Sequence, residues 1–508
     1  MSNGTAKPLS KAKAKELNGF VEQLMQLGAK EYVNAADYLG HHRDMYGLLE
    51  RIRRLEPKLR TSNGLPRTDN VEHFTKWATA NGCAINRVRI AEQFGGLGLE
   101  ATEWIPGGDC CIEVPRSLFF YVQNGPRFKK LLELMPPAML REHGNIVLAL
   151  ALIMERFRKD SFWKPYFDVL PERYTTPLYF TPEDMMELRN TEAFLPALKL
   201  CKSIARQYGF IRKFVQDKVD ELRNNFSYNV FRWAVSTVMT RQNNVPVNLA
   251  GFEGLDSTLA LIPYWDMANH DHPARRKDEL VGPRLIAETV YNAGNERLEC
   301  QVFKEEDQSK DFSSPTPIFI TYGNRTDAEF LVHNGFVVRW NPDTRVTKPF
   351  KLNPEDHLYK QRFHLLKRKD MPTEGKFAFG NYDYGASMPP GLIALACVSA
   401  MDETDLNLHT VQSSEWLDDL STMPPKLADQ TELRLGEWLT KLLRVYPTTP
   451  EEDEALLQEG RQLNPTRRLV IQYRLEEKRV LQGYVHKSRL RPLEDVAKLS
   501  IATLSDEK

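Results

Sequence analysis

The stretch Leu259-Ala-Leu-Ile-Pro-Tyr-Trp-Asp-Met-Ala-Asn-His270 decides how the middle of this chain is read, together with Pro317-Ile-Phe-Ile-Thr-Tyr-Gly-Asn-Arg325. Each opens as a short apolar run and closes in polar residues, the pattern of a strand that delivers side chains at its end. Asn269 and His270 offer several donors and acceptors to a polar ligand. Tyr322, set before a glycine turn, either points its hydroxyl into a cleft or is a core tyrosine with a satisfied hydroxyl. Asp266, His270 and His272 suggest part of a metal set. No third histidine or further carboxylate stands at ligand spacing, so no metal is expected. On residue type alone the two segments read equally well as an ordinary turn and an ordinary strand end.

Outward from this centre, Leu285-Ile-Ala-Glu-Thr-Val290, Glu299-Cys-Gln-Val-Phe303 and Cys111-Ile-Glu-Val114 read as further strands. Residues 125 to 240 read as helix, so β-rich sequence brackets a helical insertion. Gly95-Gly-Leu-Gly-Leu99 reads as a plain turn, because it lacks the G-x-G-x-x-G spacing and following helix of a dinucleotide fold. Thr240-Arg-Gln-Asn243 is a polar cluster after the apolar Trp233-Ala-Val235. Residues 1 to about 60 are helical and charged, and Thr61 to Pro66 form a loop. Beyond about residue 345 the pattern is helical to the end. Thr181-Pro-Glu-Asp184, Asn353-Pro-Glu-Asp356 and Thr449-Pro-Glu-Glu452 each offer an N-cap, a proline at the first helical position and first-turn acids. Leu469, Tyr473, Val480 and Tyr484 form an apolar stripe that faces its own domain.

Length and composition bound the function. The chain has 508 residues, enough for two or three domains, and 42% of them are apolar. Lys plus Arg total 68 and Asp plus Glu total 68, which leaves no electrostatic footprint for nucleic acid. The six cysteines form no C-x-x-C pair and fit free thiols in a reducing compartment. The longest apolar run, Ile146 to Met154, falls well short of the roughly 20 residues that span a bilayer. Lys7, Lys11, Lys13 and Lys15 lie in a segment without the apolar stretch of a signal peptide. The expectation is a monomer in the cytoplasm, with the nucleus open to it as well, and with no membrane or nucleic-acid partner.

Longer texts surround these pieces. They include Ser161-Phe-Trp-Lys-Pro-Tyr166, Thr176-Pro-Leu-Tyr-Phe180, Ala205-Arg-Gln-Tyr208 and Arg232-Trp-Ala-Val-Ser-Thr-Val-Met-Thr-Arg-Gln-Asn243. With the W-D-M-x-N-H and I-x-x-Y-G-x-R-x-x-A-E-F segments, the chain resembles the SET-domain methyltransferases of the Rubisco large-subunit methyltransferase type. Within them it is most similar to the branch that methylates a histidine of actin. The resemblance covers about residues 60 to 340 well and the C-terminal domain more loosely. It implies an α+β chain. A SET fold of small β-sheets, with pseudoknot-like threading near Asn269-His270 and a helical insertion, is followed by an all-α C-terminal substrate-binding domain. The implied boundaries are a helical extension at 1–85, the SET domain at 86–340 with its insertion at about 125–240, and the C-terminal domain at 345–500.

By the same resemblance the cofactor is S-adenosylmethionine, leaving as S-adenosylhomocysteine. It would meet Arg67, Asp109, Cys110, Cys111, Arg241, Asp266, Met267, Ala268, Asn269, His270, Asn334, Gly335 and Phe336. Arg206, Trp265 and Arg325 would face the substrate, with Tyr322 and Asn243 as catalytic residues and no metal. A member of the family that the chain resembles carries a glutamate and a phenylalanine at positions 109 and 111. Here Asp109 keeps the carboxylate, and Cys111 gives up an aromatic surface worth about 1 kcal/mol.

Methyl transfer needs a neutral nitrogen lone pair, and a histidine with pKa near 6.5 is already largely neutral at pH 7. The Asn243 oxygen suits a ring Nδ1 proton, which would leave Nε2 to react. Trp265 and Tyr322 would sandwich the imidazole. Two alternatives stand beside this reading. One is a protein-lysine methyltransferase of the same fold, which the Asn243/Trp265 pair disfavours. The other is an actin-binding scaffold of weak activity, which Cys111 favours.

Overall fold

The computed structural model describes residues 9–32, 34–123, 126–135, 141–246, 257–274, 283–303, 315–411, 415–459 and 463–487. Lys7 and positions 488–500 lie outside them. The chain forms two compact units. The first comprises Met1–Met185, Leu195–Asn324 and Leu331–Phe336, and the second Met186–Phe194, Arg325–Phe330 and Val337–Lys508.

In the first unit the strands are β1 (Ala84–Ile85), β2 (Val88–Gln93), β3 (Gly96–Ala101), β4 (Cys110–Pro115), β5 (Asn243–Pro246), β6 (Ser257–Ala260), β7 (Asn269–His270), β8 (Leu285–Asn292), β9 (Arg297–Val302) and β10 (Thr316–Ile320). The main sheet runs β1-β4-β9-β8-β10-β3-β2, with β7 also on β10. One edge of β10 carries β8 in parallel, Ile320 opposite Ala287. The other carries β3 antiparallel at Thr316–Ile318 and then β7 in parallel at Phe319–Ile320. Residues 269 and 270 therefore continue the edge that β3 leaves free, which brings them beside the exit of β10 and Tyr322. The Gly95–Leu99 stretch is a turn only at its start. Phe94 and Gly95 take φ of +50° and +79°, the pair that a two-residue hairpin needs, and the strand begins at Gly96.

The helices of this unit are α1 (Lys11–Ala29), α2 (Ala35–Leu55), α3 (Arg67–Ala80), α4 (Gly144–Arg156), α5 (Lys164–Asp168), α6 (Phe194–Phe214) and α7 (Tyr228–Arg241), with α3 packed on β2 and α4 on α7. The long apolar run Ile146–Met154 is buried on every side within α4, which is why it lacks a polar face. Among the described residues no helix is long and apolar enough to cross a membrane. The Thr181 start holds. Its hydroxyl accepts from Asp184 N at 3.2 Å, and the Asp184 carboxylate accepts from Thr181 N at 3.0 Å.

The second unit corrects the expectation of an all-α domain. Alongside α8 (Tyr359–Arg368), α9 (Leu392–Ala400), α10 (Pro425–Arg444), α11 (Pro450–Gln458) and α12 (Pro465–Lys487) it carries an antiparallel hairpin, β11 (Arg345–Lys351) and β12 (Glu374–Gly380). In β11 Val346, Lys348 and Phe350 all point inward. The lysine in the inward register masks the alternation, and it is accommodated because its Nζ lies 3.1 Å from Glu477 Oε1. The helix expected after Asn353 begins instead at Tyr359. Asn353 and Asp356 cap two turns, accepting from Glu355 N at 3.2 Å and Leu358 N at 2.8 Å. The Thr449 capping box is present. Leu469, Tyr473, Val480 and Tyr484 are buried along α12.

Candidate active site

The site begins at a strained residue. Tyr264 holds φ +72° and is almost wholly buried, a conformation that an aromatic residue keeps only where its surroundings enforce it. This kink turns the apolar run after β6 into a single 3-10 turn, Trp265–Met267, and so aims Asp266 inward.

Asp266 is the hub of a buried polar cluster. Its backbone carbonyl accepts from Arg241 Nη1 at 2.7 Å, and its Oδ2 ion-pairs with the same nitrogen at 3.3 Å. Tyr166 donates its hydroxyl to that Oδ2. Burial pushes the Asp266 carboxyl above the ordinary carboxylate range, against the pull of Arg241 and Tyr166. Arg67, first residue of α3, donates Nε to Val169 O at 2.7 Å. Burial, and then Arg241, pull its guanidinium down to about 10. Two guanidiniums thus share one carboxylate. Among the described residues Arg241 Nε and Asp266 Oδ1 are buried without a hydrogen-bond partner. An orphaned buried polar atom costs about 1–3 kcal/mol. The cluster has one cation in excess and two unused valences.

Beside it three rings meet. Tyr322 lies 5.2 Å from the His270 ring, and Phe336 lies 6.0 Å from each. The Tyr322 hydroxyl donates to Ala268 O at 2.7 Å, and Tyr322 N donates to His270 Nδ1 at 3.0 Å. Burial pushes the Tyr322 phenol up to about 12, with Arg241 opposing and Asp266 adding, so it is neutral across the physiological range. Gly335 precedes Phe336 with φ +76°. A Cβ there would stand 2.8 Å from Thr176 N, so only glycine permits this approach. Its carbonyl accepts from Thr175 Oγ1 at 2.5 Å.

Arg67, Arg241, Asp266, Ala268, His270, Tyr322, Gly335 and Phe336 are therefore brought together. Met267 is buried in the core next to them, and Asn334 ends the short helical segment before Gly335. Asn269 reaches Gln93 Oε1 at 3.4 Å, beside Gly98, whose bare backbone makes room for both side chains. Trp265 is buried, with Nε1 donating to Thr289 Oγ1 at 2.9 Å. Asn243 opens β5, opposite Ala260, two residues after Arg241.

The β4 residues look elsewhere. The Cys111 thiol is fully buried against Cys300 O at 3.2 Å, and Cys110 Sγ turns to Ile112 O at 3.2 Å. The Cys111 carbonyl is taken by Asn86 N at 2.9 Å. Asp109 pairs with Arg87 at 3.5 Å. Arg206 is exposed on α6 with its stem against Gly28, and among the described residues no hydrogen bond or ion pair joins it to the Asp266 cluster. Arg325 belongs to the second unit, where its carbonyl accepts from Asn341 Nδ2 at 2.9 Å. No group of three or more His, Cys, Asp or Glu among the described residues is placed to hold a metal ion.

Tyr166, Tyr174, Thr237 and Gln93 escaped the sequence reading. Tyr166 and Thr237 stand within the long matched texts, yet nothing local distinguishes a tyrosine that buries its hydroxyl on a carboxylate from one that packs in a core.

Comparison with known proteins gives the same frame. Residues 353–481 match the family model described as Rubisco LSMT substrate-binding. The SET domain of LSMT bound to lysine and AdoHcy superposes with a TM-score of 0.53 at 20% identity, over 82% of this chain and 90% of that one. Rubisco LSMT bound to AdoMet gives 0.51 at 22% identity, over 81% and 90%. These show the SET fold. Actin-histidine N-methyltransferase of Gallus gallus is 32% identical over 93% of this chain and 77% of its own length. The proteins of the same name from Canis lupus familiaris and Homo sapiens are 33% and 32% identical over 86% of this chain, covering 72% and 71% of their own lengths. Similarity of this extent, on a shared fold, shows that the chain belongs to the actin-histidine N-methyltransferase family.

Proposed function

We propose that this chain transfers the methyl group of S-adenosylmethionine to the tele nitrogen of a histidine ring in actin. The observation that carries the reading is the unsaturated Asp266–Arg241–Arg67 cluster beside the Tyr322–His270–Phe336 rings. A zwitterionic amino-acid end fits it. A carboxylate would offset the surplus guanidinium of Arg67 and Arg241, and an ammonium would use Asp266 Oδ1, the unpartnered oxygen. Asp266 to His270 and Asn334 to Phe336 would hold the rest, with Asp109 to Cys111 contributing backbone rather than the Cys111 side chain. When bound, S-adenosylmethionine supplies an electrophilic methyl group on a sulfonium.

The protein's part is placement. Tyr322 anchors its hydroxyl on Ala268 O and presents a neutral ring, so it aligns and shields rather than takes a proton. The target imidazole arrives neutral and needs the correct tautomer. The Asn243 side-chain oxygen would accept a hydrogen bond from the ring Nδ1–H and leave the Nε2 lone pair facing the methyl group, and the Nδ1 proton would pass to water once the ring is methylated. Trp265 lines the ring, and Arg206 and Arg325 serve substrate binding. The chain acts as a monomer in a reducing compartment, the cytoplasm or nucleus. The six cysteines, all free thiols, support that placement, and gel filtration and cell fractionation test it.

Titration with S-adenosylmethionine in a calorimeter should give saturable one-site heat. Asn243→Phe should shift preference from histidine to lysine peptides by about tenfold or more, the scale on which a lost polar partner discriminates substrates. Flat heats contradict the enzyme, and an unchanged preference contradicts the role of Asn243.

A further inference from the structure

One short helix sets the spacing of the cofactor cluster. Tyr166 stands on α5 fully buried, its ring 5.8 Å from Phe74 and 5.7 Å from Phe167. Its hydroxyl donates to Asp266 Oδ2, the oxygen that also pairs with Arg241. Just past the same helix, Val169 O accepts Arg67 Nε at 2.7 Å. The helix is itself pinned. Trp163 Nε1 donates to Leu118 O at 2.9 Å, and Arg156 pairs with Asp168 at 3.1 Å with both side chains buried. A second tyrosine braces the far side, with Tyr174 Oη 2.8 Å from Thr237 Oγ1, one helical turn before Arg241 on α7. Carboxylate and guanidinium are thus both referenced to α5.

We infer that Tyr166 is a positioning residue for this methyltransferase: its hydroxyl fixes the Asp266 carboxylate, and through it the Trp265–His270 segment on which cofactor and Tyr322 rest. The inference builds on the proposed function. The groups that face Asp266 are Tyr166 from α5, Arg241 from α7 and Arg67 from α3, with Tyr174 and Tyr322 acting on Arg241. Among the described residues, Tyr166 supplies the only hydroxyl that donates to the carboxylate. It favours the charged form, so its removal makes Asp266 hold a proton to higher pH and weakens the Arg241 pair.

The test is Tyr166→Phe in the full chain. KM and Kd for S-adenosylmethionine should rise about tenfold, the scale for one hydrogen bond to a charged group, while kcat at saturating cofactor stays within about twofold. The acid-side inflection in kcat/KM for the cofactor should move to higher pH, a change that loosened packing would not produce. Asp266→Asn should raise KM further than Tyr166→Phe does, and adding Tyr166→Phe to it should change little more. Should the phenylalanine variant fail to fold, a ring-fluorinated tyrosine in place of Tyr166, a stronger donor of the same shape, should move the inflection to lower pH. A wild-type KM and an unmoved inflection overturn the role of Tyr166. Failure of the unmodified protein to bind S-adenosylmethionine overturns instead the function on which it rests.

Discussion

Each unit of this protein buries an ion cluster, and the two are built to opposite ends. In the second unit Asp453 is fully buried, with Arg474 Nε 3.0 Å from each oxygen, Lys478 Nζ at 2.6 Å and the Thr448 hydroxyl at 2.6 Å. Lys478 spends further protons on Thr448 O at 2.8 Å and Thr449 O at 2.9 Å, and Arg474 also reaches Glu187. No buried side-chain atom of Asp453, Arg474 or Lys478 lacks a partner among the described residues. In the first unit Asp266 and Arg241 each keep an orphaned atom among the described residues, and Arg67 adds a second guanidinium to the same carboxylate. Both clusters bear the desolvation cost of buried charge. Only the first-unit cluster would need a further charged ligand to be complete. Burial of charge therefore says little about function here, and unfilled hydrogen-bonding capacity says much more.

The largest effect should come from the saturated cluster. Asp453→Ala strands two buried cations and should lower stability by roughly 3–5 kcal/mol in denaturant unfolding, with cofactor affinity of the folded protein unchanged. A small loss, or a changed affinity, would break the contrast. Asp266→Asn should do the reverse. It should weaken S-adenosylmethionine binding by about 2–3 kcal/mol in calorimetry, at the low end for a broken charge pair because the amide keeps an oxygen, with a smaller loss of stability. Equal losses in both quantities would erase the distinction between the clusters.

Gly335→Ala asks whether the ring group belongs with the unsaturated cluster. Its positive φ and the Thr176 backbone at 2.8 Å should cost about 1–3 kcal/mol and displace Phe336, raising KM for the cofactor. The smallest effect is that of Tyr322→Phe on stability, about 1 kcal/mol for one hydrogen bond. Burial holds the phenol up to about 12, above its unfolded value near 10. The stabilisation is therefore complete below about pH 10 and lost as pH rises through 12. The activity profile of the unmodified protein should show no fall from Tyr322 below about pH 10.

Much of this was legible in the residues. The strands around Leu285, Glu299 and Pro317 alternate or run apolar as sheet geometry demands, and Thr181 and Thr449 announce their helices by capping chemistry. The β11–β12 hairpin was not legible, because Lys348 occupies an inward position made tolerable only by Glu477, more than a hundred residues away. Asn353 was misleading for a local reason, since Asn and Asp cap turns as readily as helices. At the site, Asp266, Arg241 and Tyr322 came from the long family-like texts. Tyr166 and Gln93 did not, since their significance lies in a partner and not in their neighbours along the chain.

If the unsaturated cluster serves methyl transfer to a histidine, the product itself should show it. Incubation of the unmodified protein with purified actin and methyl-labelled S-adenosylmethionine, followed by mass-spectrometric mapping, tests it most directly. A single labelled histidine ring nitrogen is expected, strongly reduced with Asp266→Asn at limiting cofactor and retained with a folded Asp453 variant. Label on lysine, or none on actin, would contradict it.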